Sequence, residues 1–126
     1  MIALAQYGLL TILNLMLLFH LLILLKAIPY ASVWGGRLKN DQEMYRFEIP
    51  SILINALFLG IALIKAELLG IHLPELAMQI SLWIMAALFA FNTFGNLMSK
   101  NRLEKMIFSP LTILLCAFSL ILAFAS

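Results

Sequence analysis

Four long apolar segments dominate this sequence and limit what it can fold into. They cover residues 2–25, 49–66, 76–98 and 106–125. Each approaches the ~20 apolar residues that an α-helix needs to cross the hydrocarbon core of a bilayer. Backbone N–H and C=O groups find no water at that depth, so each segment must pair them internally as a helix. The pattern predicts an all-α integral membrane protein: one domain, residues 1–126, with four transmembrane helices in an up-down-up-down bundle.

The composition agrees with a lipid environment and excludes several kinds of site. Of the 126 residues, 64% are hydrophobic and 11% are charged, which leaves too little polar surface for a soluble domain. The net charge of +2 is too small to predict nucleic-acid binding. The single cysteine, Cys116, excludes an intrachain disulfide and is expected to be a packing residue. No HExxH, GxSxG or glycine-rich phosphate loop occurs, so we predict no catalytic residues, metal or cofactor.

Basic residues are concentrated in two of the three connections, and this asymmetry predicts the orientation. The positive-inside rule places both basic connections, 26–48 and 99–105, in the cytoplasm and both termini on the other side. The expected location is the bacterial inner membrane, with multiple passes. Aromatic side chains near the first connection fit a belt at the interface. The basic residues of these two connections are Lys26, Arg37, Lys39, Arg46, Lys100, Arg102 and Lys105, and the aromatic ones are Tyr30, Trp34 and Tyr45.

The first connection contains signals for local structure. Pro29 is expected to end or kink the first helix, and Gly35-Gly36 predicts a turn. Asn40 followed by Glu43 resembles a capping box, which predicts a helix starting at Asp41. Downstream, Pro50 either kinks the second span or starts a new helix after a break at Ile49.

Two interpretations of this connection stay open. In the first, the connection only orients the protein in the membrane and caps the helices. In the second, it forms a cytoplasmic docking surface for a partner or for lipid head groups. The candidate docking residues are Arg37, Lys39, Glu43, Arg46 and Glu48.

Polar side chains inside the spans form the candidate site. A helix rises 1.5 Å per residue. On this scale each of the four spans has a polar side chain about 10 Å along the helix axis from the nearest charged residue of a cytoplasmic connection. One interpretation is hydrogen bonding between helices. The other is a water-accessible pocket open to the cytoplasm, with His20 as a proton-responsive group or a neutral donor. We expect no buried Asp or Glu in the spans. The candidate pocket residues are His20, Asn55, Asn92, Asn96 and Thr112.

Small residues recur at four-residue spacing on two of the spans. Such spacing lets helices approach closely, either within one chain or between copies. The expected partners are therefore the lipid bilayer and either a second copy of this chain or another membrane protein, with no nucleic acid. The pairs are Ala56-x3-Gly60, Ala62-x3-Ala66 and Ala86-x3-Ala90.

The stretch "RLKNDQEMYRFEIP" resembles the start of the second helix in the membrane-associated eicosanoid and glutathione metabolism group. That family has an Arg, an Asn-x-x-Glu and a Pro there. Arg37, Glu48 and Pro50 carry the resemblance, whereas Tyr45 stands in place of the Asn and the spacing of the Pro differs. The resemblance implies a membrane-embedded enzyme that acts on a thiol conjugate or a lipid, and this is the alternative function. The leading hypothesis is a non-enzymatic protein, either a subunit that assists a partner or an oligomeric permeation or binding unit around the polar layer.

Overall fold

The computed structural model describes residues 1–30, 33 and 37–125, and it confirms an all-helical fold with four long helices. All four are long and apolar enough to cross a membrane, as expected for a multi-pass membrane protein, when the fourth is taken together with the π-helical turn before it, over Glu104–Ala125. The predictions for Trp34 and for the turn at Gly35-Gly36 lie outside the described residues. The helices are α1 (Ile2–Leu24), α2 (Asp41–Lys65), α3 (Glu75–Leu97) and α4 (Ser109–Ala125), with a π-helical turn over Glu104–Phe108 leading into α4.

Helix α2 starts where the capping residues predict. The Asn40 side chain accepts a hydrogen bond from the Glu43 N–H at 2.8 Å, which pairs one of the amides that a helix start leaves open. The Glu43 carboxylate accepts from the Lys39 N–H at 3.4 Å, one residue earlier than in a standard capping box. The helix continues through Pro50 without a break at Ile49. Residues 41–48 are thus helical, and the connection after α1 is shorter than the predicted 26–48.

Helices α1 and α2 end in the same way, on Schellman motifs without glycine. After α1 the Ala27 N–H donates to Leu22 O at 2.8 Å, and after α2 the Leu68 N–H donates to Leu63 O at 3.0 Å. The residue in the left-handed position is Lys26 in the first motif (φ 64°) and Glu67 in the second (φ 61°). A side chain with a Cβ is strained at such a φ value, so both helix ends hold backbone strain.

The start of the fourth helix is widened by its proline. Pro110 has no N–H to donate, and its ring crowds the carbonyl one turn before it. In the preceding turn the Ser109 N–H donates to Glu104 O, five residues back, which is the spacing of a π-helix. Turns of this kind are short and frequently occur at functional sites.

Consecutive helices run antiparallel, and their packing is uneven. Helix α1 packs against α2 and α4, and α3 packs against α4, whereas α2 and α3 make few contacts. We call the end with connections 25–40 and 98–103 the basic end, and the other the terminal end. At the terminal end all four helices share one apolar core. Its largest fully buried side chains are Leu9, Leu13, Leu82, Met85, Leu115 and Leu122.

A second, smaller core lies beneath the connection at the basic end. Its buried side chains come from α1, α2 and the connection itself, namely Ile23, Val33, Leu38 and Met44. Above it the Lys26 ammonium forms an ion pair with the Asp41 carboxylate, joining the end of α1 to the start of α2. This hydrogen bond raises the pKa of Lys26 above its usual value.

Candidate functional site

A cavity of about 410 Å³ lies at the basic end, where α2 and α3 stand apart. Residues from all four helices and from the first connection line it. All five candidate pocket residues, which are far apart in sequence, lie on this one lining: His20, Asn55, Asn92, Asn96 and Thr112.

The cavity is closed by α1 and α4 and is open between α2 and α3. Its lining residues from α1 and α4 are buried or half-buried, whereas Phe91 on α3 is 75% exposed and Ile54 on α2 is 47% exposed. Towards the terminal end the rings of Phe58 and Phe89 meet edge to face, with centroids 5.3 Å apart. If the four helices cross a bilayer, this open side faces lipid.

A histidine–glutamate pair joins two helices inside the cavity. His20 Nδ1 lies 2.6 Å from Glu48 Oε2, and the Glu48 side chain is fully buried. An ionised carboxylate only accepts hydrogen bonds, so in that state Nδ1 is the protonated nitrogen of the imidazole. The ring of His20 also packs edge to face against Phe19. The pair therefore fixes the His20 ring and links α1 to α2.

The burial of Glu48 corrects two expectations. The prediction of no buried carboxylate in the spans is wrong, and Glu48 cannot belong to an exposed docking surface. The reason is local: α2 starts at Asp41, so Glu48 lies two turns inside the helix and points at α1. From the sequence alone, a glutamate among polar neighbours is predicted to be exposed at the surface. The signal that could have found it was His20, a polar residue on α1 that needs a partner in lipid.

The other candidate docking residues have different positions. Lys39 and Arg46 are exposed, and Glu43 is half-buried at the start of α2. Arg37 is exposed and also contributes to the cavity lining. A docking surface on this connection therefore stays a prediction, without Glu48.

A second carboxylate lies on the cavity lining. Glu104, in the π-helical turn before α4, is only 9% exposed. In the sequence Glu104 lies in the basic connection 99–105, where nothing predicts a role for it. The widened turn ahead of Pro110 is what carries it into the bundle.

The amide and hydroxyl groups mostly do not join the helices. The Asn55 amide donates to Ser51 O in its own helix at 2.8 Å, and Thr112 Oγ1 donates to Phe108 O at 3.0 Å. Within the described part of the chain, no hydrogen bond is found for the side chains of Asn92 and Asn96. One hydroxyl pair does cross between helices, from Thr93 Oγ1 to Thr112 Oγ1 at 2.8 Å.

A smaller cavity of about 210 Å³ lies at the terminal end, beside the connection between α2 and α3. Charged and titratable side chains line it, namely Lys65, Glu67, His72 and Glu75. Among the residues that the structure describes, no three His, Cys, Asp or Glu side chains come together in a way that could hold a metal ion.

Comparison with protein-family models, with curated proteins and with solved structures finds no match to this chain. The resemblance of residues 37–50 to the eicosanoid and glutathione metabolism group therefore gains no support from these comparisons.

Proposed function

We propose that this chain is a small non-enzymatic protein of the bacterial inner membrane that binds a small molecule in the cavity between α2 and α3. In this proposal both basic connections face the cytoplasm and both termini face the other side, following the positive-inside rule. The cavity then lies in the cytoplasmic half of the membrane.

One observation carries the proposal: Asn92 and Asn96 line a cavity and have no partner for their side-chain amides in the described part of the chain. An amide transferred from water to an apolar medium without a hydrogen bond costs about 2 kcal/mol or more. In lipid, these two amides therefore need water or a ligand. Hydrogen bonding between helices, the competing interpretation, does not account for them.

The enzymatic alternative has one specific observation in its favour. Arg37 and Glu48, two residues that carry the resemblance to the glutathione-metabolising group, both line the cavity. An enzyme of that kind should be retained on a glutathione resin in mild detergent and released by free glutathione. Retention that is lost in Arg37→Ala would favour the enzyme over the binding protein.

Self-association is a further part of the proposal. Ala56 is exposed on α2, and a Cβ added at Gly60 would meet no atom within 4 Å. These small residues are therefore not used for packing within the chain, and they are free to pack against a second copy or another membrane protein. Cross-linking of Ala56→Cys across copies in lipid vesicles is the expected result for a homo-oligomer.

Thiol labelling tests whether the cavity is wet. Cys116, the one cysteine in the chain, is first replaced by Ala. In that background Asn92→Cys should react in lipid vesicles with a charged methanethiosulfonate reagent, because the thiolate that reacts forms only in water. The expected rate is about tenfold or more above that of a thiol in hydrocarbon.

Phe94→Cys is the matched control on the same helix. Phe94 is 65% exposed, does not line the cavity, and lies nearer the helix end than Asn92. A lipid-facing thiol at this position should react slowly even though it is closer to the membrane surface. Equal, slow labelling of Asn92→Cys and Phe94→Cys would mean a dry cavity and would contradict the proposed function.

A further inference from the structure

The charged side chains of the cavity lining are already engaged. Among the described residues they are Arg37, Glu48 and Glu104, and each of them interacts with another group. Glu48 is also bonded to His20 and has no exposed surface. A charged ligand would therefore enter a low-dielectric site that has no open counter-charge, which is strongly unfavourable. The cavity favours an uncharged ligand.

The hydrogen-bonding groups that stay open are neutral amides. Asn92 and Asn96 lie one turn apart on α3, line the cavity and have no side-chain partner in the described part of the chain. Each amide has two hydrogens on its nitrogen and two lone pairs on its oxygen. In apolar surroundings both the nitrogen and the oxygen need a partner. A ligand that satisfies these amides must both donate and accept hydrogen bonds.

The facing side chains on α2 mainly need hydrogen-bond donors. Ser51 Oγ donates to Phe47 O at 2.8 Å, and Asn55 Nδ2 donates to Ser51 O at 2.8 Å. A hydroxyl has one hydrogen, so Ser51 has only lone pairs left, whereas Asn55 keeps its carbonyl oxygen and one hydrogen. With the two amides of α3, the lone pairs of these side chains outnumber their hydrogens. A ligand with O–H groups fits such a lining better than an ether or a ketone does.

Phenylalanine rings form much of the remaining lining. Small-molecule sites commonly combine apolar and aromatic walls with a few polar groups that fix the orientation of the ligand. The apolar part of a ligand can pack against these rings. The rings are Phe19, Phe58, Phe89, Phe91 and Phe108.

We infer that the ligand of this cavity is an uncharged amphiphile with a hydroxyl head group, bound by Asn92, Asn96, Ser51 and Asn55. The inference rests on the proposed function and adds the chemical class of the ligand. The hydroxyl groups lie between α2 and α3, and the apolar part lies among the phenylalanine rings. Such a molecule dissolves in the bilayer and reaches the cavity through the open side between the two helices.

Two kinds of membrane molecule carry this head group: diacylglycerols, through their glycerol, and lipid-soluble hydroquinones, through their ring. Dioctanoylglycerol and decylhydroquinone are the probes for the two sources. Binding of one probe and not the other assigns the source. Binding of both shows that the cavity recognises the hydroxyl groups and not the rest of the head group.

Native mass spectrometry of the purified full chain in mild detergent counts the bound probe molecules. Each probe is compared with a form whose hydroxyls are blocked, the acetyl ester of dioctanoylglycerol and the dimethyl ether of decylhydroquinone. At least one probe should bind saturably and about tenfold more tightly than its blocked form, because the blocked form has no hydrogen to donate. Dioctanoyl phosphatidate, which is charged, should bind more weakly than dioctanoylglycerol.

Asn92→Leu keeps the branched shape of the side chain and removes its polar atoms. It should weaken binding of the probe by about tenfold, the effect of losing one neutral hydrogen bond. Ser81→Ala is the matched control on α3, because Ser81 does not line the cavity and its hydroxyl donates to Ala77 O at 2.8 Å. This variant should bind as the unchanged protein does. Circular dichroism should show that both variants keep their helices.

Equal binding of the free and blocked probes would overturn the inference, and so would no binding of either probe or tighter binding of the phosphatidate. Equal binding by the unchanged protein and a folded Asn92→Leu would do the same. If Asn92→Leu loses its helices, the free and blocked probes on the unchanged protein still decide. The proposed function would survive these results if Asn92→Cys is labelled from water, and it would fail separately if Asn92→Cys stays unreactive.

Discussion

The two ends of the bundle are built from the same four helices but packed in opposite ways. At the terminal end, α1 carries Gly8 against the ring of Phe118 on α4, so closely that an added Cβ would lie 2.4 Å from a ring carbon. At the basic end, Gly95 on α3 lines the cavity, and an added Cβ would meet nothing within 4 Å. One end is closed by small and apolar residues, and the other is held open around polar ones.

The difference shows what holds each end together. The terminal end depends on van der Waals packing, the main source of helix association in lipid. At the basic end α2 is joined to α1 by the buried hydrogen bond of His20 to Glu48, by the Lys26–Asp41 ion pair and by the small core around Met44. A binding cavity needs the second arrangement, because a closely packed core leaves no space for an occupant.

The largest contrast is expected for leucines on the same helix, one in each region. Leu82 is fully buried at the terminal end, and Leu88 is 42% exposed on the cavity lining. Leu82→Ala leaves a void among four helices and should lower the free energy of unfolding by about 2–5 kcal/mol. Leu88→Ala removes few contacts and should have a much smaller effect. Unfolding by denaturing detergent measures both, and equal losses would contradict the division of the bundle into closed and open ends.

The buried pair should give the next largest effect. Glu48→Ala leaves the His20 N–H without an acceptor in a buried site, which costs about 1–3 kcal/mol of stability. Glu48→Gln keeps a side-chain oxygen that can accept, so it should lose less. The double change His20→Phe with Glu48→Leu removes both polar groups and should recover most of the loss. If Glu48→Ala is as stable as the unchanged protein in the detergent titration, the pair does not join α1 to α2.

Glycine substitutions sharpen the comparison at a smaller scale. Gly8→Ala forces the Phe118 ring to move and should destabilise by about 1 kcal/mol, the low end for overpacking, because the end of a side chain can give way. Gly95→Ala meets open space and should leave stability unchanged or slightly raised. The additional change Phe118→Leu should relieve Gly8→Ala. Equal thermal stability of the two glycine variants would argue against close packing at the terminal end.

The smallest effect concerns the ion pair above the basic end. Asp41 raises the pKa of Lys26, so the pair stabilises the folded chain below the unfolded pKa of the lysine and is lost as pH rises through the folded value. A slight fall in stability is therefore expected above about pH 10.5. Lys26→Met should flatten the pH profile in that range. A profile that is identical in both proteins would show that the pair contributes nothing.

The sequence predicts the helices and part of the site. The length and apolar character of the segments locate the four spans. Asn40 with Glu43 predicts the start of α2 because capping is a local interaction. Depth along the helix axis also predicts that His20 and Asn92 lie at one level, since the helical rise is fixed.

The partners of those residues could not be predicted, because they depend on how the helices rotate and pack. The polar neighbours of Glu48 in the sequence predict a surface position, and only the orientation of α2 against α1 directs its side chain to His20. The gap between α2 and α3 has no signature in either helix. The gap results from how all four helices pack together: α1 and α4 contact each other at the centre, and α2 and α3 pack on them at separate positions.

The connectivity of the packed pairs has a consequence for how the chain assembles. The contacts of α1 with α2, and of α3 with α4, join neighbours in sequence, whereas the extensive contact of α1 with α4 joins the two ends of the chain. Because α1 and α2 are synthesised first, we expect the first hairpin, with its His20–Glu48 bond, to form before the second. In that order of assembly the two hairpins would meet through α1 and α4, and the gap between α2 and α3 would be the side that this contact leaves open.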